Sequence, residues 1–307
     1  MNVHAIRPSS PVRLAALSSA LACAVFAAPA HATLVLLDDF SGGTISPSKW
    51  EGEEGKQYGS TRVEARRVVA SGQLRLEAKG YSDNTFNSGS STTRNSLIVV
   101  KSSAVNDIKA TITMRTAAFV TCAGNTTSAS NARARIFGFF FNAGTPTPGS
   151  EYNDVYASVQ VSRLSNSTDP AGTFQVSGVI GVCTDDSCIG SNTVSTTPLG
   201  TVTLNTPTTL EVHWDPANNR FIFQKDSAAA VNVAYTLSDA NPPEYAAKRI
   251  EVANVIANCT ATRASAYSGA DFDNVMTNAL PAVVLPMTSA AHPELAPLVD
   301  AASGGAN

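Results

Sequence analysis

Histidine is nearly missing from this chain: there are four in 307 residues, and His4 and His31 fall within the first thirty-two. His213 and His292 remain, too few for a histidine-rich metal centre and a thin supply for a nucleophile–base–acid triad. Charged residues are also scarce at 15% and aromatics at 7%, with no long run of helical periodicity. Such a composition excludes coiled coils, collagen and charge-driven disorder. Positive charge is not in surplus either. Without Arg7 and Arg13 of the leader, 19 Lys and Arg stand against 24 Asp and Glu, a net charge of −5. A nucleic-acid backbone is therefore not an expected partner. No Gly-x-Ser-x-Gly elbow and no glycine-rich phosphate loop is present, which leaves serine-hydrolase and nucleotide chemistry without their usual cradles.

What is present begins with a leader. Basic residues up to Arg13 precede an apolar run from Leu14 to Ala28, and Ala30-His31-Ala32 places small residues where a signal peptidase reads. Fifteen apolar residues rise only about 22 Å as a helix, short of the roughly 30 Å hydrocarbon core, so no membrane span is expected. Cleavage near Ala32 predicts a secreted or periplasmic protein. Cys23 leaves with the leader, and four cysteines remain in an oxidising compartment, where they are expected to pair. Cys183 and Cys188 flank the polar turn Thr-Asp-Asp-Ser, which would close a hairpin tip and leave Cys122 with Cys259, one of three possible connectivities.

From Leu34 onward the pattern has period two. Ile108, Ala110, Ile112 and Met114 alternate with polar residues, as do Val155, Ala157, Val159 and Val161. Similar segments predict eleven or more strands, among them Leu74–Ala78, Ser96–Val100, Arg133–Phe141, Phe174–Val182, Val202–Leu204, Leu210–Trp214, Phe221–Gln224, Arg249–Ile256 and Phe272–Met276. Ser82–Asn95, Ala123–Asn131 and Ala143–Ser150 read as loops, and Pro216-Ala-Asn-Asn219 as a hairpin turn. The domain division is a signal peptide at 1–32, a β-sandwich at 33–280 and a loose tail at 281–307. An all-β antiparallel chain of this size is expected to pack two sheets face to face, which covers the apolar face of each.

Asp38-Asp39-Phe40-Ser41-Gly42 followed by Trp50-Glu51-Gly52 resembles the opening of concanavalin A-like lectin/glucanase (LamG-like) jelly rolls. Ala270-Asp271-Phe272-Asp273-Asn274-Val275 resembles their closing strand, and Leu210 to Phe221 their late hairpin. The resemblance spans about residues 34–278 and implies a two-sheet antiparallel jelly-roll sandwich whose first and last strands are neighbours. Its motifs are structural and speak to fold more than to activity.

Catalytic signatures of that superfamily are missing. Its glucanases carry Glu-x-Asp-x-(x)-Glu on one strand, placing two carboxylates on one face at the separation a retaining glycosidase needs. Here Glu51-Gly-Glu53-Glu54 reads as a solvated loop, and Asp271-x-Asp273 lacks a partner Glu. Jelly-roll polysaccharide lyases use Tyr or His as base, with Arg and Gln neutralising a uronate carboxylate. Their Gln-x-His and Tyr-x-Lys-x-Gly-x-Tyr patterns are absent, although alternation puts Lys109, Arg115, Tyr156, Gln160, Glu211 and His213 away from the core, with Arg133 and Arg135 beside Phe137. The expected function is an exported, non-enzymatic binding or structural module with a glycan as ligand; the alternative is a lyase or glycoside hydrolase on the same scaffold. Tyr156, Ser158, Gln160, His213 and Arg115 are the candidate ligand-binding residues. Because the resemblance brings the chain ends together, Asp38, Asp39, Asp271 and Asp273 are candidate ligands of a structural calcium, the alternative being that they cap the opening and closing strands.

Overall fold

The computed structural model describes residues 33–51, 57–59, 62–100, 102–188 and 190–280. The leader, the tail and the Glu53-Glu54 pair lie outside the described residues. Strands in chain order are β1 (Val35–Asp38), β2 (Trp50–Glu51), β3 (Gln57–Gly59), β4 (Val63–Ala70), β5 (Gln73–Tyr81), β6 (Ser90–Val99), β7 (Asp107–Val120) and β8 (Asn131–Asn142). They continue as β9 (Asp154–Leu164), β10 (Thr173–Cys183), β11 (Ser191–Thr203), β12 (Pro207–Asp215), β13 (Arg220–Lys225), β14 (Val231–Ala234), β15 (Lys248–Ala257) and β16 (Ser265–Thr277). Single 3₁₀ turns at Ser102–Ala104 and Pro216–Asn218 are the only helical pieces among the described residues, so no described helix is long and apolar enough to cross a membrane.

All pairings are antiparallel and fall into two sheets. A nine-stranded sheet runs β14-β13-β12-β7-β16-β5-β4-β3, with β1 added beside β16; a seven-stranded sheet runs β11-β10-β9-β8-β15-β6-β2. The core lies between them. Ile108, Ala110, Ile112 and Met114 of β7 enter it from one side and Val155, Ala157, Val159 and Val161 of β9 from the other, each buried as the alternation predicts. Phe141, Trp214, Phe221 and Tyr235 fill one end, with Phe141 and Trp214 stacked at 5.6 Å. Asn95 and Asn254 reach across the interior. The Asn95 side-chain amide donates to the carbonyls of Arg66 and Glu77, and Asn254 to that of Ala78, each at 2.9 Å, so these buried amide N–H groups are satisfied by the backbone of the opposite sheet. Two glycines permit the close approach: a Cβ on Gly80 would stand 2.3 Å from the Thr93 hydroxyl, and one on Gly178 would stand 2.4 Å from the Phe223 ring.

Three features depart from expectation. The loop read over Ser82–Asn95 gives way to strand from Ser90, and a thirteen-residue strand replaces the short segment expected at Val202–Leu204. Both are rich in Ser and Thr, so they show little hydrophobic alternation and are specified by pairing with β15 and β10. Strand β11 tolerates Pro198 because it is an edge strand with a free outer side. The strands expected to share one polar face in fact divide between two outer faces. Alternation sets the face of a residue within its strand but not the sheet to which the strand belongs. As expected, Cys122 pairs with Cys259 and Cys183 with Cys188. The turn after Pro216 closes with Asn219 in the left-handed region at φ 48°.

Candidate functional site

The outer face of the seven-stranded sheet carries a groove of about 530 Å³. Its floor is assembled row by row from cross-strand neighbours. One row reads Val179, Ser158, Phe137, Arg249 across β10, β9, β8 and β15; the next reads Ser177, Gln160, Arg135, Glu251; the third reads Gln175, Ser162, Arg133, Ala253, Arg94, ending on β6. Because every second residue of a strand faces the same way, each row stacks on the next, and side chains of different length set its depth. Ala253 is the shortest member of its row and lies between two arginines. At one end Phe139 and Tyr156 line the groove, with Ser191, Thr193 and Thr196 of β11 forming a hydroxyl-rich wall.

The aromatic end is tightly built. Tyr156 stacks on Phe137 at 5.0 Å and meets Phe139 edge-on at 6.4 Å, and its hydroxyl lies 3.0 Å from that of Ser191. Its ring lies over Gly181 on the neighbouring strand, where a Cβ would come within 2.4 Å of the phenol. Tyr245, 40% exposed, adds a further ring 6.4 Å from Phe139.

Charge dominates the other end. Glu251 is fully buried beneath the groove, accepts from Arg135 Nε at 2.5 Å and lies 2.9 Å from Arg249 Nε. Both guanidiniums rest on the Phe137 ring, at 4.5 and 4.1 Å from its centre. Burial raises the pKa of Glu251, but the fields of Arg135, Arg249, Arg94 and Arg133 outweigh it and hold the group at about 2. Glu251 is thus a fixed anion that positions two arginines, not a proton donor near neutral pH. Arg133 has no such partner. It makes no hydrogen bond or ion pair with any described residue, its Nε is shut off from solvent, and burial together with Arg135 lowers its pKa to about 9. Gln160 Oε1 and Ser158 Oγ, on the same sheet face, are likewise buried without a partner. No acidic side chain lines the groove among the described residues, so four arginines there face one submerged carboxylate.

Of the five ligand candidates read from sequence, the structure brings Tyr156, Ser158 and Gln160 to this face; Tyr156 and Gln160 line the groove, while Ser158 is fully buried under it. Arg115 and His213 lie on the other sheet, a correction to the single polar face expected. Arg115 bonds Asp271 at 2.6 Å, and His213 lies 3.3 Å from Asp107 across the β12–β7 pair. The four candidate calcium ligands are dispersed. Asp38 faces inward, accepting from Trp50 Nε1 at 2.8 Å and Lys49 at 3.2 Å; Asp39 caps Ser41; Asp271 is clamped by Arg75 and Arg115; Asp273 accepts from the Asn274 amide. These four form no group of converging carboxylates among the described residues. Arg94, Arg249, Glu251 and Tyr245 were missed, although the period-two pattern from Arg249 through Glu251 to Ala253 would have marked one face of β15.

No protein-family model and no curated protein sequence matches the chain. Solved structures similar to it include Bacillus licheniformis beta-glucanase, at 12% identity over 78% of this chain and 95% of that one, with a TM-score of 0.38. Alginate lyase Aly36B is 13% identical over 80% and 96% of the two chains, with a TM-score of 0.35. Laminarinase from Flavobacterium sp. UMI-01 is 11% identical over 78% and 97%, with a TM-score of 0.36. The resemblance is one of fold. Likeness at this level identifies no ligand.

Proposed function

We propose that this is an exported, non-enzymatic module that binds a glycan in the groove of the seven-stranded sheet. The observation that carries the reading is the groove itself, an open cleft where the edges of Phe139 and Tyr156, the hydroxyls of β11, Gln160 and four arginines come together. Sugars are recognised by such a combination of apolar surface and placed polar groups. Among the described residues no carboxylate pair lines the groove, which supports binding over glycosidic hydrolysis. Export draws support from the two disulfides and from the start of β1 at Val35, immediately after the expected cleavage at Ala32.

Binding of wild type to a glycan panel, lost in Gln160→Ala and Tyr156→Ala without a matching loss of fold by circular dichroism, is the expected result. Equal binding by all three proteins would move the site elsewhere, and no binding by wild type would favour a purely structural role.

A second reading, a uronate-cleaving lyase, is favoured by the convergence of Tyr156, Gln160 and arginines in one groove. There the Tyr156 phenol oxygen, acting as the base, would take the proton beside the uronate carboxylate. The C4–O glycosidic bond would break as a C4–C5 double bond forms, and Tyr156 would return the proton to the leaving oxygen. Release of unsaturated product from a polyuronate, abolished in Tyr156→Phe, would replace the non-enzymatic reading.

A further inference from the structure

Arg133 has no function in the fold that the structure accounts for. A guanidinium partly withdrawn from water, as Arg133 is with its Nε shut off from solvent, is ordinarily compensated by a carboxylate or by several carbonyls. Its neighbours Arg135 and Arg249 obey this rule through Glu251. Arg133 does not, and its nearest guanidinium in the row below, Arg135, makes its position less favourable still. Two strands away in its own row, Arg94 is exposed, makes no ion pair or hydrogen bond with any described residue, and is separated from Arg133 only by the methyl group of Ala253. The strand spacing sets the two Cα atoms roughly 10 Å apart, within which two long side chains can close on one oxyanion from either side. Gln160, with its unused Oε1, borders the same position from β9 and offers an acceptor for a hydroxyl beside that oxyanion.

We infer that the groove holds an anion subsite between Arg133 and Arg94, and that its ligand is an acidic glycan whose carboxylate or sulfate ester occupies that subsite. The inference rests on the groove being the glycan site and adds the class of glycan. Charge complementarity carries it: Glu251 contacts Arg135 and Arg249 but reaches Arg133 and Arg94 only through its longer-range field, so four arginines share one carboxylate and the groove keeps an excess of positive charge. A carboxylate and a sulfate ester share the oxyanion chemistry that a guanidinium recognises with two parallel hydrogen bonds. The remaining sugar would extend along the groove toward the edge of Tyr156 and the hydroxyls of Ser191, Thr193 and Thr196.

The test uses the full-length mature protein and three probes: a polygalacturonate, a sulfated galactan and a neutral β-glucan, titrated at low and at raised salt. Wild type is expected to bind one of the acidic polymers at least tenfold more tightly than the neutral one, more weakly as salt rises. Arg133→Gln is expected to lower that affinity by about ten- to a hundredfold, Arg94→Gln by less, and Arg133→Lys to recover part of the loss. Arg133→Gln should also leave the melting temperature unchanged or raise it, a result that a structural arginine would not give. The acidic polymer that binds tells carboxylate from sulfate. Equal affinity for neutral and acidic polymers, or acidic binding unaffected by both glutamine variants, overturns the anion subsite while leaving the glycan groove standing. If no polymer binds wild type, the groove reading itself fails and the subsite with it.

Discussion

At the scale of single residues, the buried ionic cluster under the groove turns on Glu251. Its carboxylate touches two guanidiniums and sees no water, so Glu251→Gln leaves Arg135 and Arg249 desolvated without their counter-charge. A loss of about 3–5 kcal/mol in urea-unfolding stability at pH 7 is expected. The pH dependence follows from the direction of the shift. The folded group titrates near 2, the ordinary value being 4.5, so its stabilisation is complete above about pH 4.5 and is lost as pH falls toward 2. The gap between wild type and Glu251→Gln should therefore be constant at neutral pH and narrow across that window. A gap that stays the same down to pH 2 would mean that the carboxylate is not held ionised by its neighbours.

At the scale of elements, β10 separates fold from site within one strand. Gly178 faces the interior against Phe223 and Gly181 faces the groove against Tyr156, and at either position an added Cβ would stand only 2.4 Å from the facing ring. Gly178→Ala should overpack the core and lower stability by about 1–3 kcal/mol with the groove unchanged. Gly181→Ala should instead push the Tyr156 ring off its seat beside Ser191 and weaken ligand binding, with a smaller change in melting temperature. Equal thermal shifts for the two variants would deny that the faces are independent. The same strand shows what sequence could and could not reveal. Alternation in β7, β8, β9 and β10 was legible because one face of each meets the core, and it placed Tyr156 and Gln160 correctly. Strand β11 was largely illegible because both of its faces are polar. The wrong pooling of Arg115 and His213 with Tyr156 had a different cause: which strands share a sheet depends on crossovers between β7, β12 and β16, and no local pattern encodes those. Arg133 and Arg135 were legible beside Phe137, but Arg94, Arg249 and the Glu251 that separates the role of Arg135 from that of Arg133 come from β6 and β15, distant in the chain.

At the scale of the whole molecule, two cross-links act on very different lengths of chain. Cys122 and Cys259 are 137 residues apart, against five for Cys183 and Cys188. On the chain-entropy account the first stabilises by about 5 kcal/mol and the second by about 2. Replacing the Cys122–Cys259 pair by alanines should therefore lower the melting temperature more than replacing the other pair. The shorter bridge, whose Cys188 borders the groove, should affect binding in addition. Intact mass should show a mature start at Thr33 and no free thiol; a retained leader would overturn export. The pairing of Val35 with Thr277 bears on the proposed export of the chain. The first strand of the nine-stranded sheet cannot be completed until the last one has been made, so local contacts do little to lock the nascent protein. Folding dominated by such distant pairings is slow. A chain that stays open until its end has arrived remains threadable through a narrow pore, which is what the export proposed above would require of it.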